Sequence, residues 1–177
     1  FGAMLTPALS RRADKKTLMI AANFLAAAAL FGNYALPSNF SVVLLAHITM
    51  MFCFGIMITS LFAMYTDCSE YGEWKSGKNS AGLTVSASMF SLKFGSAMGV
   101  AIPSTVLALF GFLSPVSGVD QVQTAAALDG IRIMFNIVPG LFFLLAGILL
   151  YFYRIDRRLL AVIEQELRDR RAAAEAI

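Results

Sequence analysis

"FSVVLLAHITMMFCFGIMITSLFAMYT", residues 40 to 66, contains no Asp, Glu, Lys or Arg. At about 1.5 Å per residue a helix of this length reaches roughly 40 Å, more than the ~30 Å of a bilayer's hydrocarbon core. A helix on the surface of a soluble domain would carry a charged face, and this stretch has none. It reads as a membrane span. Three further stretches are long and apolar enough to do the same, at about 17–36, 81–112 and 130–153. The 177-residue chain is 58% hydrophobic and only 14% charged, where a soluble domain runs near 25%. The fold class is an all-α membrane protein, a polytopic helical bundle with the lipid bilayer as its first partner. Residues 1–155 form the transmembrane part and 156–177 a tail. No basic, aromatic-studded surface suggests a nucleic acid.

Directly after the opening stretch comes "DCSEYGEWKSGKN", residues 67–79, with Asp67, Glu70, Glu73, Lys75 and Lys78. Cytoplasmic loops of membrane proteins gather Lys and Arg. Residues 11–16 hold four bases, residues 67–80 hold two, and the tail beyond Tyr153 holds six. These twelve of the fourteen bases fall on alternating connections. The connections near 36–39 and 113–130 hold none; the second carries Asp120 and Asp129. Loop 11–16, loop 67–80 and the C-terminus are therefore expected on the cytoplasmic side.

Pro37 is placed to stop the first span, and Asn39 and Ser41 can cap the second. Gly72 and Gly77 are read as interruptions that let the chain turn. Pro103 and Pro139 lie inside spans, where neighbouring groups can satisfy the freed carbonyls. In the tail, Leu159, Leu160, Ile163 and Leu167 recur at helical spacing, which predicts an amphipathic helix on the membrane surface. Residues 1–10 are apolar but too short to span. With Phe1 rather than Met at the start, they suggest the end of a helix belonging to a longer chain. One His and two Cys offer no metal-ligand spacing; Cys53 and Cys68 read as small packing residues. No metal and no cofactor is expected.

Polarity is costly in hydrocarbon and marks function there. Lys93 lies twelve residues into its span, roughly 18 Å deep. Ser86, Met89 and Ser96 share its helical face and are candidates for a cavity wall. Ser91, Gly95 and Gly99 form a small-residue stripe on the opposite face, suited to close helix packing. Asp67, Glu70 and Glu73 fall within about 120° of one another on a helix. They suit either a gate that pairs with bases elsewhere or a solvated face. Asp129 and Arg132, at i and i+3, suggest a local ion pair, and Asn136 one turn deeper could extend it to the edge of an outer cavity. Asn23, Asn33, Thr59 and Ser60 could bond between helices, and His47 suits a hydrogen-bonded packing role.

The quoted acidic stretch and its surroundings resemble the glycoside–pentoside–hexuronide:cation symporters, melibiose permease-like members of the major facilitator superfamily. "DCSEYGEWKSGKNSAGL", 67–83, is similar to the connection between the tenth and eleventh helices of that family. The pattern is an acid, two residues, a second acid, then Tyr-Gly-Glu, an aromatic and Lys. Asp67, Glu70, Tyr71, Gly72, Glu73, Trp74 and Lys75 all match. "SLKFGSA", 91–97, resembles the eleventh helix, with Lys93 in register. "LTPALSRRADKK", 5–16, is similar to the loop between helices eight and nine, and "LDGIRIMFNIVPGLFF", 128–143, to the last helix. Asn79 departs from the pattern where an Arg is usual, with Lys78 beside it, and Ile58 stands where melibiose permease has a sugar-stacking Trp.

The resemblance covers essentially the whole chain and implies part of the second six-helix half of a transporter, from the end of helix eight to helix twelve and the tail. It implies cation-coupled sugar or glycoside symport by alternating access in a bacterial inner membrane. Lys93 would face the shared cavity. Asp67, Glu70, Glu73, Lys75 and Lys78 would form a cytoplasmic gate pairing partly with the N-terminal half. Na⁺ or H⁺ would couple, with its ligands in that half. A membrane enzyme would need a nucleophile, a metal set or paired acids; the acid row is the one candidate, and no His accompanies it. A truncated membrane protein that does not transport is the other alternative.

Overall fold

The computed structural model describes residues 2, 4, 6, 10, 14–36, 39–112 and 122–175. Among them every regular element is helical. Helix α1 covers Lys15–Ala35, α2 Phe40–Ser76 and α3 Ala81–Leu109. The last long helix begins as α4, Ala125–Arg132, passes through a π turn at Ile133–Ile137 and continues as α5, Val138–Tyr151. The tail forms α6, Arg157–Glu175. By length and composition four helices can cross a membrane: α1, α2, α3 and the continuous run Ala125–Leu150. This is a multi-pass membrane protein.

The helix ends differ from the sequence expectation in informative ways. The second helix does not stop at 66 but runs through the acid row and Gly72 to Ser76. Gly77 ends it, with φ +68 and its N–H bonded to the Glu73 carbonyl at 2.9 Å. That left-handed turn suits glycine. Gly72 has another role: a Cβ there would lie 2.5 Å from Ser80 Oγ. Ser80 is itself held by a 2.8 Å bond from its hydroxyl to the Ser69 carbonyl, so Gly72 lets the α2–α3 turn fold back tightly. Asn39 precedes α2 without a side-chain cap. The third helix ends at Leu109 rather than 112, and the fourth starts at Ala125, capped by Thr124, whose hydroxyl accepts from Ala127 N–H at 3.2 Å. Arg11, Arg12, Pro37 and Asp120 lie outside the described residues.

The core is the contact of α1 with α2 and with the last helix. Leu18, Ala22 and Ala26 pack on Cys53, Ile56 and Met57. On the other side, a Cβ at Gly140 would lie 3.0 Å from the Phe31 ring, and one at Gly147 would lie 3.3 Å from Phe24. These two glycines, seven residues apart, let α5 approach α1 closely. The stripe singled out from sequence behaves otherwise. Nothing lies within 4 Å of a Cβ at Gly95 or Gly99. They line an open apolar groove of about 560 Å³ between α3 and the last helix, with Pro103, Val138, Pro139 and Phe142.

The π turn has a local cause. Pro139 lacks an N–H and cannot bond one turn back, so the helix widens by one residue before it. Val138 N–H reaches the carbonyl of Ile133, five residues back.

Candidate functional site

Lys93 stands in the middle of α3, a helix along which Ser88 alone is buried. Its side chain is exposed, and among the described residues it makes no ion pair or hydrogen bond. Met89, one turn earlier, is 50% exposed on the same face. Ser86 and Ser96 bond back to their own helix, to the carbonyls of Gly82 at 2.8 Å and Leu92 at 2.9 Å. Ser91, on the opposite face, does the same with Ala87 at 2.9 Å. The face is therefore less polar than the sequence suggests. Its hydroxyl protons are committed, the oxygens keep acceptor capacity, and Lys93 supplies the one charge.

The acid row sits on the last turns of α2, beyond the apolar run that ends at 66. Asp67 is buried and takes Lys15 Nζ at 2.9 and 3.1 Å. Lys15 opens α1, so the pair ties the ends of two adjacent helices. Lys16 bonds the Tyr151 and Tyr153 carbonyls at 3.0 and 2.6 Å, placing a cation at the C-terminus of α5 where the helix dipole favours one. Glu73 takes Arg171 of α6 at 3.0 Å. Trp74 Nε1 donates to Glu166 at 2.7 Å, and Arg170 donates to the Trp74 carbonyl at 3.1 Å. Glu70 makes no ion pair among the described residues. Partial burial pushes its carboxyl up, and the Glu164 and Asp67 carboxylates push the same way. Lys75 lies over the Tyr71 ring at 5.9 Å. The Lys78 backbone shares contacts with Ser76, and Asn79 Oδ1 accepts from Ala81 N–H at 2.9 Å at the start of α3.

Tail helix α6 lies against α2 along one side. Its Ile163 and Leu167 are buried, so the apolar edge that suggested a membrane-surface helix is at least partly covered by protein. Asp156 caps α6 by accepting from Leu159 N–H at 2.8 Å, and Arg157 pairs with Asp14 at 3.0 Å.

At the opposite end, the expected Asp129–Arg132 ion pair does not form. Arg132 instead donates to the Tyr34 carbonyl at 3.2 Å and lies 5.4 Å from that ring's centre. An aromatic face and a carbonyl hold the guanidinium across the α1 interface, which a reading confined to one helix could not find. Asn136, in the π turn, is buried. It accepts from Asn33 at 2.7 Å and donates to the Arg132 carbonyl at 2.9 Å. Asn33, Arg132 and Asn136 line a pocket of about 450 Å³ with Phe40, His47 and Phe135; Asp129 does not line it. His47 itself bonds the Val43 carbonyl at 2.9 Å. Of the four residues read as interhelical bonders, Asn33 is one. Asn23 and Thr59 bond within their own helices, and the buried Ser60 hydroxyl has no partner among the described residues.

Residues 1–157 match the family described as MFS/sugar transport protein. The chain belongs to that family. Several similar proteins are named as sugar or glycoside carriers. A glucuronide carrier protein homolog of Escherichia coli (strain K12) is 33% identical over 123 residues, covering 70% of this chain and 26% of that protein. The isoprimeverose transporter of Lactiplantibacillus pentosus is 30% identical over 180 residues, covering 97% and 36%. A candidate glycoside/cation symporter of E. coli is 29% identical over 181 residues, covering 100% and 38%. The chain thus spans about a quarter to two fifths of the length of these symporter-family relatives. Among the described residues no cluster of His, Cys, Asp or Glu could hold a metal ion.

Sequence reasoning missed the Lys15–Asp67 tie, the Arg171–Glu73 contact and the Phe24/Phe31–Gly140/Gly147 seam. The seam had a signal, since aromatics and glycines each recur at a spacing of seven. The two ion pairs cross 52 and 98 residues, and no local pattern encodes them.

Proposed function

We propose that this chain is the C-terminal part of a cation-coupled sugar or glycoside symporter that works by alternating access. Substrate binds between it and an N-terminal half, and the coupling cation, Na⁺ or H⁺, has its ligands in that half, in a bacterial inner membrane. The observation that carries the reading is Lys93: an exposed ammonium at mid-span, on a helix otherwise left almost wholly uncovered. A charge there requires water, a ligand or a counter-charge, and a shared midplane cavity supplies all three. Ser86, Met89 and Ser96 form the wall beside it. The carriers of glucuronides, isoprimeverose and glycosides among the relatives favour a glycosidic substrate. Loops 11–16 and 67–80 and the tail 156–177 face the cytoplasm. Asp67, Glu70, Glu73, Lys75 and Lys78 stand at the cytoplasmic mouth, and Arg132 and Asn136 at the outer end. The test is accumulation of a panel of radiolabelled glycosides by the full-length protein in proteoliposomes under imposed Na⁺ and H⁺ gradients. Gradient-dependent accumulation is expected. Downhill leakage unaffected by either gradient would overturn coupling.

A further inference from the structure

The tail helix is attached to the bundle in two unlike ways. Up to Leu167 it is anchored, with Asp156 capping the first turn and Ile163 and Leu167 buried. Its tip is held by polar contacts. Arg171, whose side chain is 61% exposed, meets Glu73, at 21%, while Glu166 and Arg170 meet Trp74. All three tip contacts converge on two adjacent residues of the acid row. Root and tip, residues 157 and 171, are roughly 21 Å apart along the helix. Solvent-exposed ion pairs are screened by salt and by competing charges, whereas buried ones are screened less. The tip is the part that can let go.

We propose that α6 is a releasable strap whose tip competes with the opposite half of the transporter for Glu73 and Trp74. Strapped, Glu73 is neutralised within its own half and the cytoplasmic mouth stays open. Released, the carboxylate is free to pair across the mouth and close it. This rests on the reading of the acid row as a gate between halves. It predicts that the two ends of one ion pair act in opposite directions. Losing Arg171 frees Glu73 and favours closure; losing Glu73 removes the closing charge and favours opening. An ordinary structural ion pair gives the same effect from either end.

The test uses the full-length protein with Cys53→Ala and Cys68→Ser, carrying Ser86→Cys as a reporter in inside-out membrane vesicles. The labelling rate with a membrane-impermeant maleimide is read. Arg171→Ala is expected to slow labelling threefold or more, Glu73→Gln to speed it by a similar factor, and Arg171→Lys to leave it near the parent rate. The exchange Glu73→Arg with Arg171→Glu restores the pair and is expected to return the parent rate. Arg171→Ala and Glu73→Gln moving labelling in the same direction, or neither moving it, overturns the strap. Glycoside uptake is measured separately on the full-length protein with Ser86 intact. Opposite shifts in labelling without uptake by that protein would remove the transport reading and leave the strap standing.

Discussion

Single residues at the cytoplasmic end differ in what their charges contribute. Asp67 is nearly enclosed and its partner Lys15 partly exposed, whereas Glu73 is partly covered and its partner Arg171 mostly exposed. Removing one partner of a buried pair leaves an uncompensated charge and costs about 3–5 kcal/mol, while exposed pairs contribute roughly 0–1 kcal/mol. Lys15 is 37% exposed, so water recovers part of the loss, and Lys15→Met is expected to destabilise by ~1–3 kcal/mol. Arg171→Ala is expected to change stability by under ~0.5 kcal/mol. Thermal unfolding of the detergent-solubilised parent checks both, and adding Asp67→Asn to Lys15→Met should recover most of the loss. Lys93 calls for a functional readout instead. Lys93→Ala is expected to abolish gradient-driven accumulation at unchanged membrane abundance. Lys93→Arg should do little better, because a planar guanidinium does not replace a compact ammonium. Parent-like accumulation by the alanine variant would make Lys93 a bystander.

Elements were legible from sequence where apolar length alone decided them, and obscure where a second helix decided them. The four spans follow from long apolar runs. The acid row was read as part of a connection because its charges end the apolar run. Helical backbone does not end with hydrophobicity, and α2 continues until Gly77 adopts φ +68. A side chain in that conformation is strained by about 1 kcal/mol. Gly77→Ala should therefore lower stability by roughly that amount; an unchanged melting temperature would show that the turn relaxes. The small-residue stripes reverse the sequence ranking. Gly95 and Gly99 border open groove, while Gly140 and Gly147 receive Phe31 and Phe24. Composition reveals that a glycine can allow close approach, not which neighbour uses it. Gly140→Val, whose added methyls would enter the Phe31 ring, should reduce folded yield far more than Gly95→Val. Equal yields of the two variants in fluorescence-detected gel filtration would contradict the α1–α5 seam.

At the scale of the molecule, the bundle is lopsided. Of the most apolar stretch of each helix, 44% of α1 is buried and none of α3. Helix α1 is the hub, with α2 on one side and the last helix on the other. Helix α3 carries Lys93 and leaves almost all its surface uncovered. Lipid can cover apolar surface, but it covers a mid-span ammonium poorly, at about 3 kcal/mol on insertion scales. The cheaper arrangement sets that face against a hydrated cavity, which a single helix cannot enclose. Residues 1–177 alone in a bilayer are thus expected to insert and keep the α1–α2 and α1–α5 contacts. They are expected to give no sugar counterflow, because on the proposed reading the substrate binds between this chain and an N-terminal half. Co-expression with a separate polypeptide carrying the preceding helices of the parent should restore accumulation. Counterflow by residues 1–177 on their own in liposomes would mean that α3 finds its polar partner within this chain, and that the cavity does not lie between two halves.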